Sequence, residues 1–207
     1  MVGSGRPIGT NSLVVASHNQ GKIREFAIML KPLGIDLVPA SELGLSEPVE
    51  DGATFFANAR IKALAASTGA GRAAVADDSG LVVAALGGAP GVHSARWAGP
   101  DKDFSIAMRR VQNELSAVGA NSAQLRTANF TTALVLAWPD GHTEEFEGRI
   151  YGTLVWPPRG DRGFGYDPMF VAEGHTQTFG EMEPAEKHTI SHRAEAFRQL
   201  ADACFHA

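Results

Sequence analysis

Length, composition and charge already exclude several classes of protein. The chain has 207 residues, of which 44% are hydrophobic and 20% are charged, so it can bury a core and is not typical of disordered proteins. Its 18 basic and 23 acidic residues give a net charge of −5, which offers no overall attraction to nucleic acid polymers or anionic membranes. A single cysteine, Cys204, excludes an intrachain disulfide and cysteine-ligated metal clusters. We expect a cytoplasmic protein.

The first predicted elements alternate between strand and helix. Residues 1–12 are rich in Gly and Ser and are predicted to form a flexible tail. Apolar runs and helical spacing then predict a strand at 13–16, a helix at 23–30, a strand at 35–38, a helix at 55–67 and a strand at 73–76.

The second half of the chain adds antiparallel strands. In order, the sequence predicts a helix at 104–118, a β-hairpin of 130–138 and 143–151, a Gly- and Pro-rich loop at 157–168 and a closing helix at 191–205. This pattern predicts an α/β fold with a mixed, elongated central sheet flanked by helices. No repeat or linker divides residues 13–207, which we expect to form a single domain of two lobes.

A polar turn after the first strand is a candidate phosphate site. It reads Ser17-His18-Asn19-Gln20-Gly21-Lys22. The N–H groups at a helix N-terminus favour anions, and Lys22 adds a cation. The turn lacks the Walker A spacing, and an ordinary capped connection between strand and helix explains it as well.

Two adjacent carboxylates, Asp77 and Asp78, follow the third predicted strand. Ligands of open α/β sheets bind at such strand ends, although a solvated Asp-Ser-Gly turn is the alternative. Side chains alternate along an extended chain, so the two carboxylates need not share one role. Glu50, in the acidic loop 47–52, can join Asp78 as a Mg²⁺ pair, because Mg²⁺ usually takes one or two carboxylates.

A glycine-rich loop at 160–168 carries candidates for binding a flat ring. Phe164 and Tyr166 are interleaved with glycines, which free the backbone for close approach. Either aromatic ring can stack on a base, and Asp167 can accept a hydrogen bond. The alternative is that the aromatic side chains anchor a surface loop.

Several cationic side chains are further candidates. Lys62 lies in the predicted Ala-rich helix, where a solvated position is the alternative to ligand binding. His192 and Arg193 follow Ser191, the predicted N-cap of the last helix. Cations there oppose the helix dipole, and an anionic or electron-rich ligand would offset that cost.

These segments together resemble the inosine triphosphate pyrophosphatase family. The resemblance runs from Leu13 to the last helix, and the matching motifs occur in family order. They are SHNQGK at 17–22, EDGATF at 50–55, NARIKA at 58–63, ADDSGL at 76–81, LGGAPGVHSARWAG at 86–99, GFGYDPMF at 163–170 and SHR at 191–193.

The resemblance implies an enzyme that removes non-standard purine nucleotides from the nucleotide pool. Such an enzyme hydrolyses ITP, dITP and XTP to the monophosphate and pyrophosphate. The resemblance further implies an active site in a cleft between two lobes, a homodimer, and one Mg²⁺ per subunit, for which Mn²⁺ can substitute. Two alternatives stay open: a nucleotide sensor without turnover, and a hydrolase that prefers pyrimidine or modified nucleotides.

The resemblance also implies roles for individual residues. Asp78 would be the general base, Glu50 and Asp78 the Mg²⁺ ligands, and Asp77 a supporting residue. The substrate would be bound by Ser17, His18, Asn19, Gln20, Gly21, Lys22, Lys62, Ser79, Phe164, Gly165, Tyr166, Asp167, Lys187, His192 and Arg193. Within this set, the lysines would contact phosphate, residues 164–167 would stack on the base, and His192 and Arg193 would read the purine edge. His18 and Ala57 depart from the family's usual residues.

Overall fold

The computed structural model describes residues 5–205. Its strands are β1 (Ser12–Val15), β2 (Asp36–Pro39), β3 (Ala74–Val83), β4 (Thr127–Ala137), β5 (Thr143–Leu154) and β6 (Phe170–Ala172). Its α-helices are α1 (Gln20–Leu30), α2 (Phe55–Ala70), α3 (Phe104–Ala117), α4 (Pro184–Ile190) and α5 (His192–Cys204). Short 3₁₀ helices lie at Lys31–Leu33, Ala40–Leu43, Ala84–Leu86, Gly91–His93, Arg96–Ala98, Ala123–Leu125 and Asp167–Met169.

The strands form a mixed sheet in the order β2-β1-β3-β4-β5-β6. β1 pairs in parallel with β2 and β3, whereas β6 pairs antiparallel with β5. This confirms the predicted α/β fold with a mixed central sheet and flanking helices. The sequence did not reveal β6 or α4, because a strand of three residues and a helix of seven are too short to show a periodic pattern.

The third strand differs from its prediction. β3 does not end before the two aspartates but continues through them as ten residues, from Ala74 to Val83. Asp77 and Asp78 are therefore interior strand residues. The polar Asp-Asp-Ser-Gly segment suggested a turn, yet charges that are paired by neighbouring elements can remain within a strand.

The described chain divides into two compact units. The first comprises 5–78, 132–148 and 193–205, and the second comprises 79–131 and 149–192. In the first unit, alternate residues of the strands face two separate cores. Leu13, Val15 and Val75 face α1 and α5, whereas Val14 and Ala74 face α2. Helices therefore cover both faces of this part of the sheet.

The second unit has one core of its own. It combines β3 and β4 residues with the apolar face of α3 and an aromatic group around Phe170 and Phe179. Tyr166 belongs to this core and is 2% exposed. No helix in residues 5–205 is both long and apolar enough to span a membrane.

Part of the segment that we predict to be a flexible tail packs against the first unit. Ile8 is buried in the core that also contains α5, and its N–H donates to the Cys204 carbonyl at 3.1 Å. An apolar side chain inside a Gly- and Ser-rich segment is the reason for this contact. Residues 1–4 of the predicted tail and His206 lie outside the described residues.

Candidate active site

Asp77 and Asp78 are directed to opposite faces of the sheet. Asp77 shares the face of Val75 and meets side chains from α1 and α5, whereas Asp78 shares the face of Ala76 and meets α2. The predicted alternation is thus confirmed, and it gives the two carboxylates different partners. Two separate charge clusters follow, and both lie within the first unit.

The Asp77 cluster is a buried network of two cations and two anions. Arg193 donates to Asp77 Oδ2 through Nη2 at 2.8 Å and Nε at 3.2 Å, and its Nη1 binds Glu25. Lys22 Nζ lies 3.1 Å from the same Asp77 oxygen. Thr132 Oγ1 approaches that oxygen at 3.5 Å. The guanidinium therefore joins α1, β3 and α5.

The ionisation of Asp77 is fixed by this network. Burial alone would raise the pKa of Asp77, but Lys22 and Arg193 outweigh burial and hold that pKa well below its ordinary value. Burial lowers the pKa of Lys22, while the charge of Asp77 opposes that effect. Arg193 keeps its charge because Asp77 and Glu25 overcome its burial and raise its pKa. The cluster therefore consists of ionised side chains whose positive and negative charges compensate each other.

The Asp78 cluster is built around the ammonium of Lys62. Lys62 Nζ lies 3.2 Å from Glu50 Oε1 and 3.9 Å from Asp78 Oδ1. Asn58, one turn before Lys62 on α2, donates from Nδ2 to Asp78 Oδ2 at 3.1 Å. Burial raises the pKa of Asp78, although Lys62 and Asn58 counteract it. Asp78 is therefore a carboxylate whose proton affinity is increased by its surroundings.

Asn58 also fixes the acidic loop that carries Glu50. Its Oδ1 accepts from the Gly52 N–H at 2.8 Å. A Cβ added at Gly52 would lie 2.6 Å from that oxygen and 2.7 Å from the Ala57 Cβ, so only glycine fits this close approach. One carboxamide thus holds the loop with one end and Asp78 with the other.

The donor atoms of this cluster fit a Mg²⁺ ion. Glu50 and Asp78 direct carboxylate oxygens at the same cation, Lys62, and Mg²⁺ takes hard oxygen ligands, commonly from only one or two carboxylates. Within residues 5–205 no group of three or more His, Cys, Asp or Glu is arranged to hold a metal. A metal here would need most of its ligands from water and phosphate.

The predicted phosphate turn forms the N-terminus of α1, which is capped by the side chain of Asn19. Asn19 Oδ1 accepts from the N–H groups of Gly21 at 2.8 Å and Lys22 at 3.2 Å, and Ser17 Oγ accepts from the Asn19 N–H at 3.2 Å. His18 is exposed, with Nδ1 3.5 Å from Glu47 Oε1. An anion at this turn would compete with the Asn19 cap for two of the N–H groups.

In the second unit, Asp167 and Lys187 form a buried pair. Asp167 Oδ2 accepts from Lys187 Nζ at 2.6 Å and from the Phe164 N–H at 2.8 Å. The Lys187 ammonium also lies 4.9 Å from the centre of the Phe164 ring. The structure therefore groups three of the predicted substrate-binding residues in one place, and Gly165 lies beside them with a φ of 70°.

Tyr166 does not have the environment that we predict for it. Its ring is buried edge-on against Phe104, with centroids 5.4 Å apart, and its hydroxyl donates to the Ser94 carbonyl at 2.9 Å. Burial raises its pKa. A tyrosine with both its ring and its hydroxyl satisfied inside the unit is a core residue. Phe164, which is only partly buried, is the loop aromatic that a base could reach.

His192 and Arg193, predicted to act as one purine-reading pair, differ in their surroundings. His192 stacks on Phe130, with ring centroids 5.2 Å apart and an interplanar angle of 20°. Arg193 instead binds Asp77 and Glu25, which differs from the predicted contact with the purine. Adjacent residues on a helix point about 100° apart, so sequence adjacency did not imply a common target. Ser79 is partly exposed within β3.

Sequence reasoning missed three residues of these clusters: Glu25, Asn58 and Thr132. Two of them had a usable signal. Glu25 follows Lys22 by three residues, and Asn58 precedes Lys62 by four, and both spacings place side chains on one helix face. Thr132 had no such signal, because its neighbours depend on strand pairing.

The chain is similar to known proteins over nearly its whole length. A family model described as the Ham1 family matches residues 13–203. The dITP/XTP pyrophosphatase of Zymomonas mobilis is 57% identical over 199 residues, which are 96% of this chain and 94% of that protein. The dITP/XTP pyrophosphatase of Rhodopseudomonas palustris is 56% identical over 202 residues, covering 94% and 96%.

Solved structures are similar over nearly the same length. A HAM1 protein from Coxiella burnetii is 37% identical, with a TM-score of 0.85, and the match covers 93% of this chain and 98% of that one. A nucleoside-triphosphatase described as a dITP/XTP pyrophosphatase from Mycobacterium abscessus is 40% identical, with a TM-score of 0.73, covering 91% and 98%.

Proposed function

From the premise that this chain belongs to the Ham1 family, we propose that it hydrolyses non-standard purine nucleoside triphosphates such as ITP, dITP and XTP. The products are the nucleoside monophosphate and pyrophosphate. The observation that carries the proposal is the Asp78 cluster, where a carboxylate of raised pKa lies beside Lys62 and Glu50. The family relationship favours turnover over the alternative of a sensor that only binds nucleotides.

Asp78 is proposed as the general base. In the reaction, the oxygen of a water molecule bonds to the α-phosphorus while the bond from that phosphorus to the bridging oxygen breaks. The electron pair leaves with pyrophosphate, and Asp78 accepts the proton of the water. A carboxylate with an increased proton affinity suits this step, since a base works best when its pKa approaches the working pH. Asn58 holds one carboxylate oxygen in place.

Positive charge near Asp78 must balance the polyanionic substrate. Lys62 and Lys22 are the proposed phosphate-binding lysines in the first unit, and each is held by a carboxylate. Glu50 and Asp78 are the proposed Mg²⁺ ligands, for one ion per subunit. When bound, the ion supplies charge neutralisation for the phosphate oxygens.

The remaining site assignments are proposals of the same kind. The turn 17–22 and Ser79 are proposed to contact the phosphates and sugar, with Asp77 in support. Phe164 and Gly165 are proposed to lie against the base, and His192 to donate to its C6 carbonyl, where the amino group of adenine would leave that donor unsatisfied. We also propose that the protein is a cytoplasmic homodimer.

Product identification tests the proposed function. The purified protein is incubated with ITP, dITP, XTP, ATP, GTP and a pyrimidine triphosphate, with Mg²⁺, with Mn²⁺ or with EDTA, and the products are separated. We expect pyrophosphate and the monophosphate from the first three substrates, and no turnover with EDTA until Mg²⁺ is restored. Release of orthophosphate would contradict cleavage between the α- and β-phosphates, and binding of ITP without turnover would favour the sensor.

A further inference from the structure

The carboxylate of Asp167 joins two segments of the second unit. Its Oδ2 accepts from the Phe164 N–H in the glycine-rich loop at 2.8 Å and from Lys187 Nζ in α4 at 2.6 Å. Asp167 and Lys187 are 3% and 5% exposed. A single buried oxygen therefore ties the loop that presents Phe164 to the helix that carries Lys187.

The ammonium of Lys187 lies between aromatic rings as well as beside this carboxylate. It is 4.9 Å from the centre of the Phe164 ring and 5.5 Å from that of Phe179. Ring faces attract cations at such distances. Lys187 thus contacts the Phe164 side chain directly and, through Asp167, also fixes the Phe164 backbone.

The loop backbone restricts the carboxylate to this position. Gly163 has a φ of 74°, and a Cβ added there would lie 2.1 Å from Asp167 Oδ2. Glycine is required both by the backbone conformation and by the approach of the carboxylate. The hydrogen bond from the Phe164 N–H to Asp167 therefore closes the turn that begins at Gly163, and Lys187 balances the charge of Asp167.

We propose that Lys187 is a positioning residue, which acts through Asp167 to hold the Phe164 ring in place for a purine base, and that it does not bind phosphate. The inference rests on the proposed function, in which Phe164 lies against the base. The Lys187 side chain is only 6% exposed, and its ammonium already contacts the Asp167 carboxylate and the rings of Phe164 and Phe179. A phosphate that drew the ammonium away would weaken the charge-assisted hydrogen bond to a buried carboxylate.

IMP carries the base and one phosphate, inosine carries the base without phosphate, and pyrophosphate carries phosphate without the base. Titration calorimetry measures the affinity of each variant for these three ligands with Mg²⁺ present. We expect Lys187→Met to weaken IMP and inosine binding alike, by about tenfold, comparable with the loss of one charged hydrogen bond, and to leave pyrophosphate affinity unchanged within about twofold. Lys102→Met is the matched control, because Lys102 is an exposed lysine of the same unit, and it should change none of these affinities.

A double variant distinguishes positioning from direct binding. In Asp167→Asn with Lys187→Met, the carboxamide oxygen still accepts from the Phe164 N–H and no buried charge is left uncompensated. IMP affinity should therefore recover most of the loss seen with Lys187→Met alone. If Lys187 binds phosphate directly, the double variant should stay as weak for IMP as the single one. Both variants should then lose affinity either for pyrophosphate or for IMP without a matching loss for inosine.

Four outcomes overturn the inference: a loss for IMP but not for inosine in Lys187→Met, equal losses for IMP and pyrophosphate, no loss for any ligand, or no recovery in the double variant. Thermal melting of each variant verifies folding. If Lys187→Met does not fold, the double variant decides, since loss of a phosphate-binding lysine would lower its affinity for pyrophosphate or for IMP relative to inosine. Wild-type protein that binds IMP but does not cleave ITP would contradict the proposed function alone.

Discussion

Asp77 and Asp78 are neighbours in one strand, yet their surroundings are opposite. Asp77 is bound by Arg193 and Lys22, which keep it ionised, whereas Asp78 shares Lys62 with Glu50 and has a raised pKa. The first arrangement favours the ionised carboxylate, and the second raises the affinity of the carboxylate for a proton. Environment, and not residue type, separates the pKa values of these two neighbours.

Of the two carboxylate substitutions, Asp78→Asn should have the larger effect on catalytic activity. Loss of the general base should lower kcat for ITP by about 10²- to 10⁴-fold, measured as pyrophosphate released. The free energy of unfolding should not fall, because burial disfavours the ionised form of Asp78. Asp36→Asn, the same change at an exposed strand position, is the control. Turnover near that of the control would remove Asp78 from the base role.

Asp77→Asn should affect the fold more than Asp78→Asn does. Arg193 would lose a carboxylate partner, and Lys22 would lose the charge that opposes the effect of burial on its pKa. Breaking a buried ion pair in this way costs about 3–5 kcal/mol. Urea unfolding followed by circular dichroism measures the difference. An unfolding free energy equal to that of Asp36→Asn would show that the network around Asp77 does not stabilise the protein.

The pH dependence of stability should have opposite signs for the two aspartates. The folded-state pKa of Asp77 is lowered, so its stabilising contribution is complete above its unfolded pKa, about 3.9, and is lost as the pH falls through the folded value. The pKa of Asp78 is raised, so stability is gained as the pH falls through its folded value.

Urea titrations across a range of pH measure this difference, which is the smallest of the three. The stability of Asp78→Asn relative to wild type should increase as the pH rises above the ordinary aspartate pKa of about 3.9, because only wild type bears the cost of ionising the buried Asp78. Parallel curves for the two proteins would mean that Asp78 titrates alike in the folded and unfolded states.

The sequence was sufficient for the fold class and for the opposite orientation of the two aspartates. Apolar runs and helical spacing predicted the α/β fold, and side-chain alternation predicted that Asp77 and Asp78 face apart. The end of β3 was mispredicted, since local polarity at residues 77–80 suggested a turn. Asp77 is paired there with Arg193, which is 116 residues distant in sequence, and local polarity does not indicate such a partner.

Side-chain partners were the part that sequence could not supply. Phe164 and Tyr166 each follow a glycine in the same loop, yet only Tyr166 is buried and hydrogen-bonded inside the core. Lys187 is predicted to meet phosphate, but its carboxylate partner is 20 residues away in another element. Such choices depend on packing between distant segments, which a pattern of residue types does not encode.

The alternation of β3 restricts how this protein can change in length. Inserting or deleting one residue between Ala74 and Asp77 would exchange the faces of the two aspartates, so that the would-be base met Arg193 and the anchored charge met Lys62. A shift of two residues would restore the faces but would move both carboxylates about 6.6 Å along the strand, beyond the reach of those partners. Length changes in this gene are therefore expected in the surface loops and not between these strand positions.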